Sequence, residues 1–395
     1  MNKTPQANRI HIGIFGKRNV GKSSLLNAIC GQQVSLVSPI QGTTTDPVKK
    51  AMELVPVGPV LFIDTAGLDD SGEVGKLRVE KTKQIMQEVD LALFVMDVND
   101  PDLELFNKII NEFKKLDITF LTVFNKIDTV GKEKIEELKT KFPGALFVSA
   151  KNPDKIQELK EALAGIIKER EERNSLIADL LPQNSKVILV IRIDEAAPKG
   201  RLILPQVQLI RDCLDHGIKC YVVRDSELES ALNDIKGVDL VITDSSIFKK
   251  VAEIVPESVP LTSFSILFAR YKGNLHLLLE GIKKLEELPE EARILIAESC
   301  THAVTCEDIG RVKIPALLNK HLKKKLTIDV ASGQDFPQNI TDYDLVIHCG
   351  ACMLNKKAMV NRLKKCQEKG VAVTNYGMIL AHFSGILQRA TEIFS

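Results

Sequence analysis

Residues 16–23 read Gly-Lys-Arg-Asn-Val-Gly-Lys-Ser, a complete GxxxxGK[ST] run set between the apolar stretch IHIGIF and the helical pattern SSLLNAI. No other feature restricts the fold as much. Such a loop works only between a buried strand and a helix N-terminus, where successive backbone N–H groups converge on one phosphate. Gly16 and Gly21 let the backbone curl, Lys22 reaches the β/γ oxygens, and the Ser23 hydroxyl can ligate Mg2+. Asn19, Val20 and Ser24 complete the phosphate-facing run. From Ile10 to about Arg170 the stretches IHIGIF, VLFID, LALFVMDV, ITFLTVFN and ALFVSA alternate with helical patterns. That rhythm predicts an α/β fold, a parallel sheet wrapped by helices.

Asn125-Lys126-Ile127-Asp128 follows the stretch ITFLTVF. An Asp128 carboxylate there accepts from guanine N1–H and the exocyclic amine. Adenine offers no such pair of donors and would leave the carboxylate buried and unpaired. Ser149-Ala150-Lys151, after ALFV, sets a backbone N–H against the guanine O6. Between these motifs lie Gly42-Thr43-Thr44-Thr45-Asp46 and Asp64-Thr65-Ala66-Gly67. Asp64 can hold a magnesium shell through water, Gly67 can donate to the γ-phosphate, and a threonine of the first loop can complete the metal shell. GTP and GDP with Mg2+ are therefore the expected ligands. Leu68 stands where small signalling GTPases carry a water-positioning glutamine, so hydrolysis is expected to be slow.

The 395 residues suffice for two or three domains. We expect a nucleotide domain over 9–170, a charged boundary at 168–174 (KEREERN), and a small central α/β unit over 175–262. That unit holds the strands VILVIRI, KCYVV and DLVIT around the helix PQVQLIRDCLDHG. A C-terminal α/β unit over 263–395 holds ARILIAES, KLTIDV, YDLVIHCG and GVAVTN. Lys plus Arg number 53 against 52 Asp plus Glu, so no net field favours an anionic partner. No apolar run approaches the ~18 residues of a membrane span, and the first fifteen residues lack signal-peptide order. The expectation is a cytoplasmic protein with no membrane partner, its eight cysteines being thiols or metal ligands.

Two clusters stand out among them: Cys300-Thr-His302, then 45 residues, then His348-Cys349-Gly-Ala-Cys352. Each ends a strand pattern, so both can meet at one sheet edge. Three readings stay open on the residues alone: a closed tetrahedral zinc site, an iron–sulfur cluster on three thiolates with one iron left to another ligand, and inert buried thiols. Cys213, Cys220, Cys306 and Cys366 have no partner at ligand spacing and read as structural.

The five nucleotide motifs make the first domain similar to GTPases of the Era and MnmE type, in which Thr44 would be the magnesium-contacting threonine. Relatives that lack the glutamine often use a potassium ion held by a P-loop asparagine, and Asn19 occupies that slot. Held beside the phosphates, K+ stabilises transition-state charge as an arginine finger does, whereas an Asn19 that only caps the loop would leave hydrolysis indifferent to it. The relatives' GTTRD reads GTTTD here. Taken whole, the P-loop domain, the central unit and the CxH…HCxxC pair closely resemble the HydF family of iron–iron hydrogenase maturation GTPases, over essentially the full chain.

The resemblance implies a 4Fe-4S cluster on Cys300, Cys349 and Cys352, with His302 and His348 as the motif histidines. By its position two residues before Cys300, Glu298 competes with the histidines for the fourth iron. The resemblance also implies a homodimer through the central domain. The implied role is a scaffold that receives a di-iron precursor assembled with two radical-SAM maturases and delivers it to apo iron–iron hydrogenase. One rival is a ribosome- or tRNA-directed GTPase with a zinc-bearing RNA domain. Residues 171–395 hold 29 Lys plus Arg and 29 Asp plus Glu, the chain has no tryptophan, and no GxxG follows residue 170. A nucleic-acid face is thus unsupported. A metal-sensing switch that binds partners without turnover is the other.

Overall fold

The computed structural model describes residues 6–31, 48–68, 80–171, 175–193, 202–299, 308–333, 336–337, 339–351 and 353–394. Thr44 and its loop, Cys300, His302, Cys306 and Cys352 lie outside the described residues. The chain divides into two compact units, Met1–Arg173 and Asn174–Ser395.

In the first unit six strands, β1 (Ile10–Phe15), β2 (Val48–Leu54), β3 (Gly58–Asp64), β4 (Leu91–Asp97), β5 (Thr119–Asn125) and β6 (Leu146–Phe147), pair in the order β2-β3-β1-β4-β5-β6. Every pairing is parallel except β2 against β3. The central strands are buried on both faces, so they read in sequence as unbroken apolar runs. Alternation along them then divides the core. Ile12, Ile14, Leu93 and Val95 face Leu25 and Ile29 of helix α1 (Lys22–Cys30) and Leu159 and Leu163 of the helix Pro153–Glu171. Phe15, Phe94 and Met96 face Ile110 and Phe113 of the helix Leu103–Lys115.

The second unit carries two wholly parallel four-stranded sheets. Strands β7 (Lys186–Ile191), β8 (Lys219–Arg224), β9 (Leu240–Thr243) and β10 (Leu261–Ser263) run in the order β10-β9-β7-β8. Strands β11 (Arg293–Ala297), β12 (Thr327–Ala331), β13 (Leu345–His348) and β14 (Ala372–Asn375) run in the order β12-β11-β13-β14. The expected boundary between 262 and 263 falls inside β10, one residue before the helix α2 (Phe264–Lys272). One apolar core runs across it, from Ile188 and Val241 through Ile266, Leu278 and Ile282 to Ile294 and Val346. Among the described residues no helix is long and apolar enough to cross a membrane.

The helix Leu275–Lys283 lies so close to β14 that a Cβ at Gly281 would sit 2.0 Å from the Val373 carbonyl oxygen. Helix propensity alone makes Gly281→Ala stabilising by about 1 kcal/mol. Overpacking against a backbone that cannot retreat reverses the sign. Gly281→Ala is therefore expected to lower the stability of the 174–395 unit by roughly 1–3 kcal/mol in urea denaturation. An unchanged or raised midpoint would contradict this seating of the helix.

Candidate functional site

Each described nucleotide motif begins where a strand of the first sheet stops: Gly16 after β1, Asp64 at the end of β3, Asn125 at the end of β5 and Ser149 just past β6. At Gly16, φ is +146° and a Cβ would lie 2.2 Å from the Val95 carbonyl oxygen. At Gly21, φ is +92° and a Cβ would lie 2.4 Å from Asn125 Nδ2. Only glycine fits either position. Gly21 caps α1 and brings no side-chain acceptor, which leaves the amides of the first turn to a ligand. Lys22 is buried, its Nζ donating to Gly16 O at 3.0 Å and Lys17 O at 2.9 Å, folded over the concavity the amides face.

The two base-recognition motifs are tied to that loop by polar bridges. Asn125 is 2% exposed; its Nδ2 donates to Val20 O at 3.0 Å and its Oδ1 accepts from Ala150 N at 3.3 Å. Lys126 Nζ donates to Asn19 O and to Asp97 Oδ2, both at 2.7 Å. Asp128 accepts from Ser149 Oγ at 2.7 Å and Lys151 Nζ at 3.0 Å, and these bonds hold its carboxyl below the usual carboxylate range. Asn19 is exposed and in the left-handed region at φ +62°.

Ser23 Oγ donates to Asp64 Oδ2 at 2.5 Å. Asp64 Oδ1 is buried with no hydrogen-bond partner among the described residues, and burial raises the Asp64 carboxyl above its ordinary value. A buried carboxylate oxygen left unmet beside Ser23 fits a hydrated divalent cation, which would satisfy both demands. Gly67 is buried, and Leu68 N donates to Gly16 O at 3.4 Å, so the DTAG turn abuts the P-loop.

In the third sheet β11 and β13 are neighbours with Ala297 beside His348, so Glu298, Ser299 and Cys349 emerge together. Cys349 Sγ lies 3.1 Å from both Ser299 N and Ser299 Oγ and 3.4 Å from Ala351 N. Ala351 sits at φ +53°, a costly conformation for alanine that turns its N–H toward the sulfur. The loop is held from α2. Buried Lys272 donates to Ala351 O at 2.9 Å and Leu354 O at 3.0 Å.

Two of the residues weighed as ligands are engaged elsewhere. His348 donates from Nδ1 to Cys349 O at 3.0 Å and accepts at Nε2 from Arg362 Nη1 at 3.1 Å. Burial first, and the Arg362 charge second, push it down to about 3, so it is a neutral imidazole with both nitrogens occupied. Glu298, 2% exposed, takes Arg311 Nη2 at 2.9 Å, Arg311 Nε at 3.1 Å and Ser332 Oγ at 3.2 Å. Among the described residues no three His, Cys, Asp or Glu side chains converge at metal distance. Two backbone N–H groups and one hydroxyl thus converge on a single soft sulfur. Cys213 and Cys220 hydrogen-bond each other, which with burial pushes the Cys213 thiol up. Ser299, Lys272, Arg311 and Arg362 carried no sequence signal, because their partners lie 13 to 82 residues away.

Residues 11–126 match a family model described as a 50S ribosome-binding GTPase. Residues 176–273 match the hydrogen maturase F dimerization domain, and 276–393 the hydrogen maturase F tetramerization domain. GTPase Der of Wolinella succinogenes is 36% identical over 237 residues, 54% of this chain and 50% of the relative. The tRNA modification GTPase MnmE of Carboxydothermus hydrogenoformans is 38% identical over 181 residues, 43% of this chain and 38% of the relative. The chain thus spans half or less of the length of these curated relatives. A crystal structure of an Aquifex aeolicus Era variant bound to GDP and AlF4− is 32% identical over 40% of this chain and 56% of that one, with a TM-score of 0.31.

Asn125 joins β5, the P-loop and the Ser149-Ala150-Lys151 turn through buried bonds, so its loss acts before any ligand is present. Asn125→Ala leaves Val20 O and Ala150 N unpaired and is expected to destabilise the nucleotide-free 1–173 unit by about 2–4 kcal/mol in chemical denaturation. Loss of nucleotide affinity with stability intact would contradict the bridging role.

Proposed function

The chain belongs to the hydrogen maturase F family, and we propose that it is a GTPase and iron–sulfur scaffold that carries a di-iron precursor and transfers it to apo iron–iron hydrogenase. The observation that carries the scaffold half is the thiol of Cys349 at the carboxyl edge of the third sheet, facing the N–H and hydroxyl of the residue that precedes Cys300. Cys300, Cys349 and Cys352 would hold a 4Fe-4S cluster, with His302 the remaining motif histidine. His348, its two nitrogens occupied, fixes the Cys349 carbonyl. When bound, the cluster supplies an iron with an open position to which a bridging ligand of the cargo can attach. The equal counts of basic and acidic residues over 171–395 support a protein partner over nucleic acid. The dimerization and tetramerization matches support a self-associating chain, and two radical-SAM maturases are the proposed suppliers of the cargo.

For GTP, Lys22 and the amides of the α1 N-terminus hold the β- and γ-phosphates, while Ser23, Asp64 and Thr44 would hold Mg2+. Asp128 and the Ala150 amide read the guanine edge. Gly67 N–H donates to the γ-phosphate. Leu68 offers no group to orient water, which makes unassisted hydrolysis slow, and Asn19 would hold K+ beside the phosphates. Phosphate release is expected to run several-fold faster in KCl than in matched NaCl, and Asn19→Ala is expected to abolish that difference. Equal rates in both salts for the wild type would remove potassium from the mechanism, and equal hydrolysis of ATP would remove the assignment of Asp128.

The two sites are expected to fail independently. Cys349→Ala should keep GTP turnover within about twofold of the wild type but lose hydrogenase activation in a reconstituted maturation assay, since Cys349 belongs to the second unit and to none of the nucleotide motifs. Lys22→Ala should lose turnover and keep the cluster spectrum, because the lost ammonium acts within the P-loop and ligates no iron. A Cys349→Ala protein that activates hydrogenase normally would overturn the scaffold reading.

A further inference from the structure

The residue before Cys300 is as closely engaged with Cys349 as a cluster ligand's neighbour can be. Ser299 is 5% exposed, and both its backbone N and its Oγ lie 3.1 Å from Cys349 Sγ. Its position is fixed from two sides. Glu298, directly before it, is locked by Arg311, Ser332 and Tyr376, and Ala297 O accepts from Cys349 N at 2.9 Å. The hydroxyl therefore has a sulfur in front of it and little freedom to turn away.

We propose that Ser299 is a positioning residue for the iron–sulfur cluster: its hydroxyl donates to the Cys349 thiolate and sets the cluster's reduction potential. The inference rests on the iron–sulfur reading above. An iron-bound thiolate carries no proton and cannot donate, so the Ser299 O–H is the donor in that pair. Together with Ser299 N–H and Ala351 N–H, it gives one cysteine three donors. Donors at a ligating sulfur withdraw charge from the iron, which favours the reduced, more negative cluster and raises the potential. The backbone N–H survives any side-chain change, so Ser299→Ala removes one of the three contacts and leaves the ligand set intact.

The test is an EPR-monitored dithionite titration of anaerobically purified full-length wild type, Ser299→Ala and Ser299→Thr. In it dithionite gives the cluster one electron and is itself oxidised. Ser299→Ala is expected to hold iron but to reduce at a lower potential. A neutral hydrogen bond lost corresponds to roughly a fivefold shift of the equilibrium, about 40 mV for a one-electron couple. Ser299→Thr, which keeps the hydroxyl, is expected to titrate with the wild type. An unchanged midpoint in Ser299→Ala, or equal shifts in both variants, would overturn the proposal. If Ser299→Ala holds no iron, full loading in Ser299→Thr supports the hydroxyl's role and loss in both overturns it. A wild type that shows no reducible signal overturns the iron–sulfur reading itself, and this proposal with it.

Discussion

Parallel strand pairing is the constraint from which both sites follow. A parallel sheet cannot be closed by hairpins, so each strand returns through a crossover and all strands point the same way. Their carboxyl ends then line one edge, and the loops at that edge are freed from the ladder to bind. Gly16, Asp64, Asn125 and Ser149 reach one edge of the first sheet in this way, and Ser299 and Cys349 reach one edge of the third. Antiparallel β2, at the outer edge of the first sheet, contributes no predicted site residue.

At those edges the apolar cores give way to polar bridges that fix the loops. In the first unit Asn125 and Lys126 join the P-loop to the base-reading turns, so the loop's shape is set before a phosphate arrives. In the second unit Lys272, Arg362 and Arg311 do the corresponding work around Cys349. Lys272 and Arg362 are buried, which makes each of their bonds costly to break.

The long buried strands were legible because a strand covered on both faces is a continuous run of β-branched and aromatic residues, as in VILVI and LALFVM. β2 escaped because Val48–Leu54 is a half-exposed edge whose lysines break the run, and β10 because three residues carry no period. The nucleotide residues were legible for a different reason. Phosphate and guanine geometry fix both residue types and spacing, and Gly16, Asp64, Asn125 and Ser149 lie at or just past the ends of β1, β3, β5 and β6. The surroundings of Cys349 were not legible. Nothing in the spacing of His348 and Arg362 reveals that they meet, nor does Glu298 announce Arg311 thirteen residues on. Two side chains read as ligand candidates are consequently braces in the fold. The division of the second unit was also obscured, since the core that joins its two sheets is assembled from helices contributed by both sides of the expected boundary.

The proposed coexistence of a guanine-nucleotide site and an iron–sulfur site in one chain is tested most directly by metal analysis with EPR on the anaerobically purified wild-type protein. The expected result is a brown protein that contains iron and no zinc and gives a signal on reduction that is independent of bound GTP. A colourless protein carrying zinc, or one carrying no metal after iron and sulfide are supplied, would contradict it.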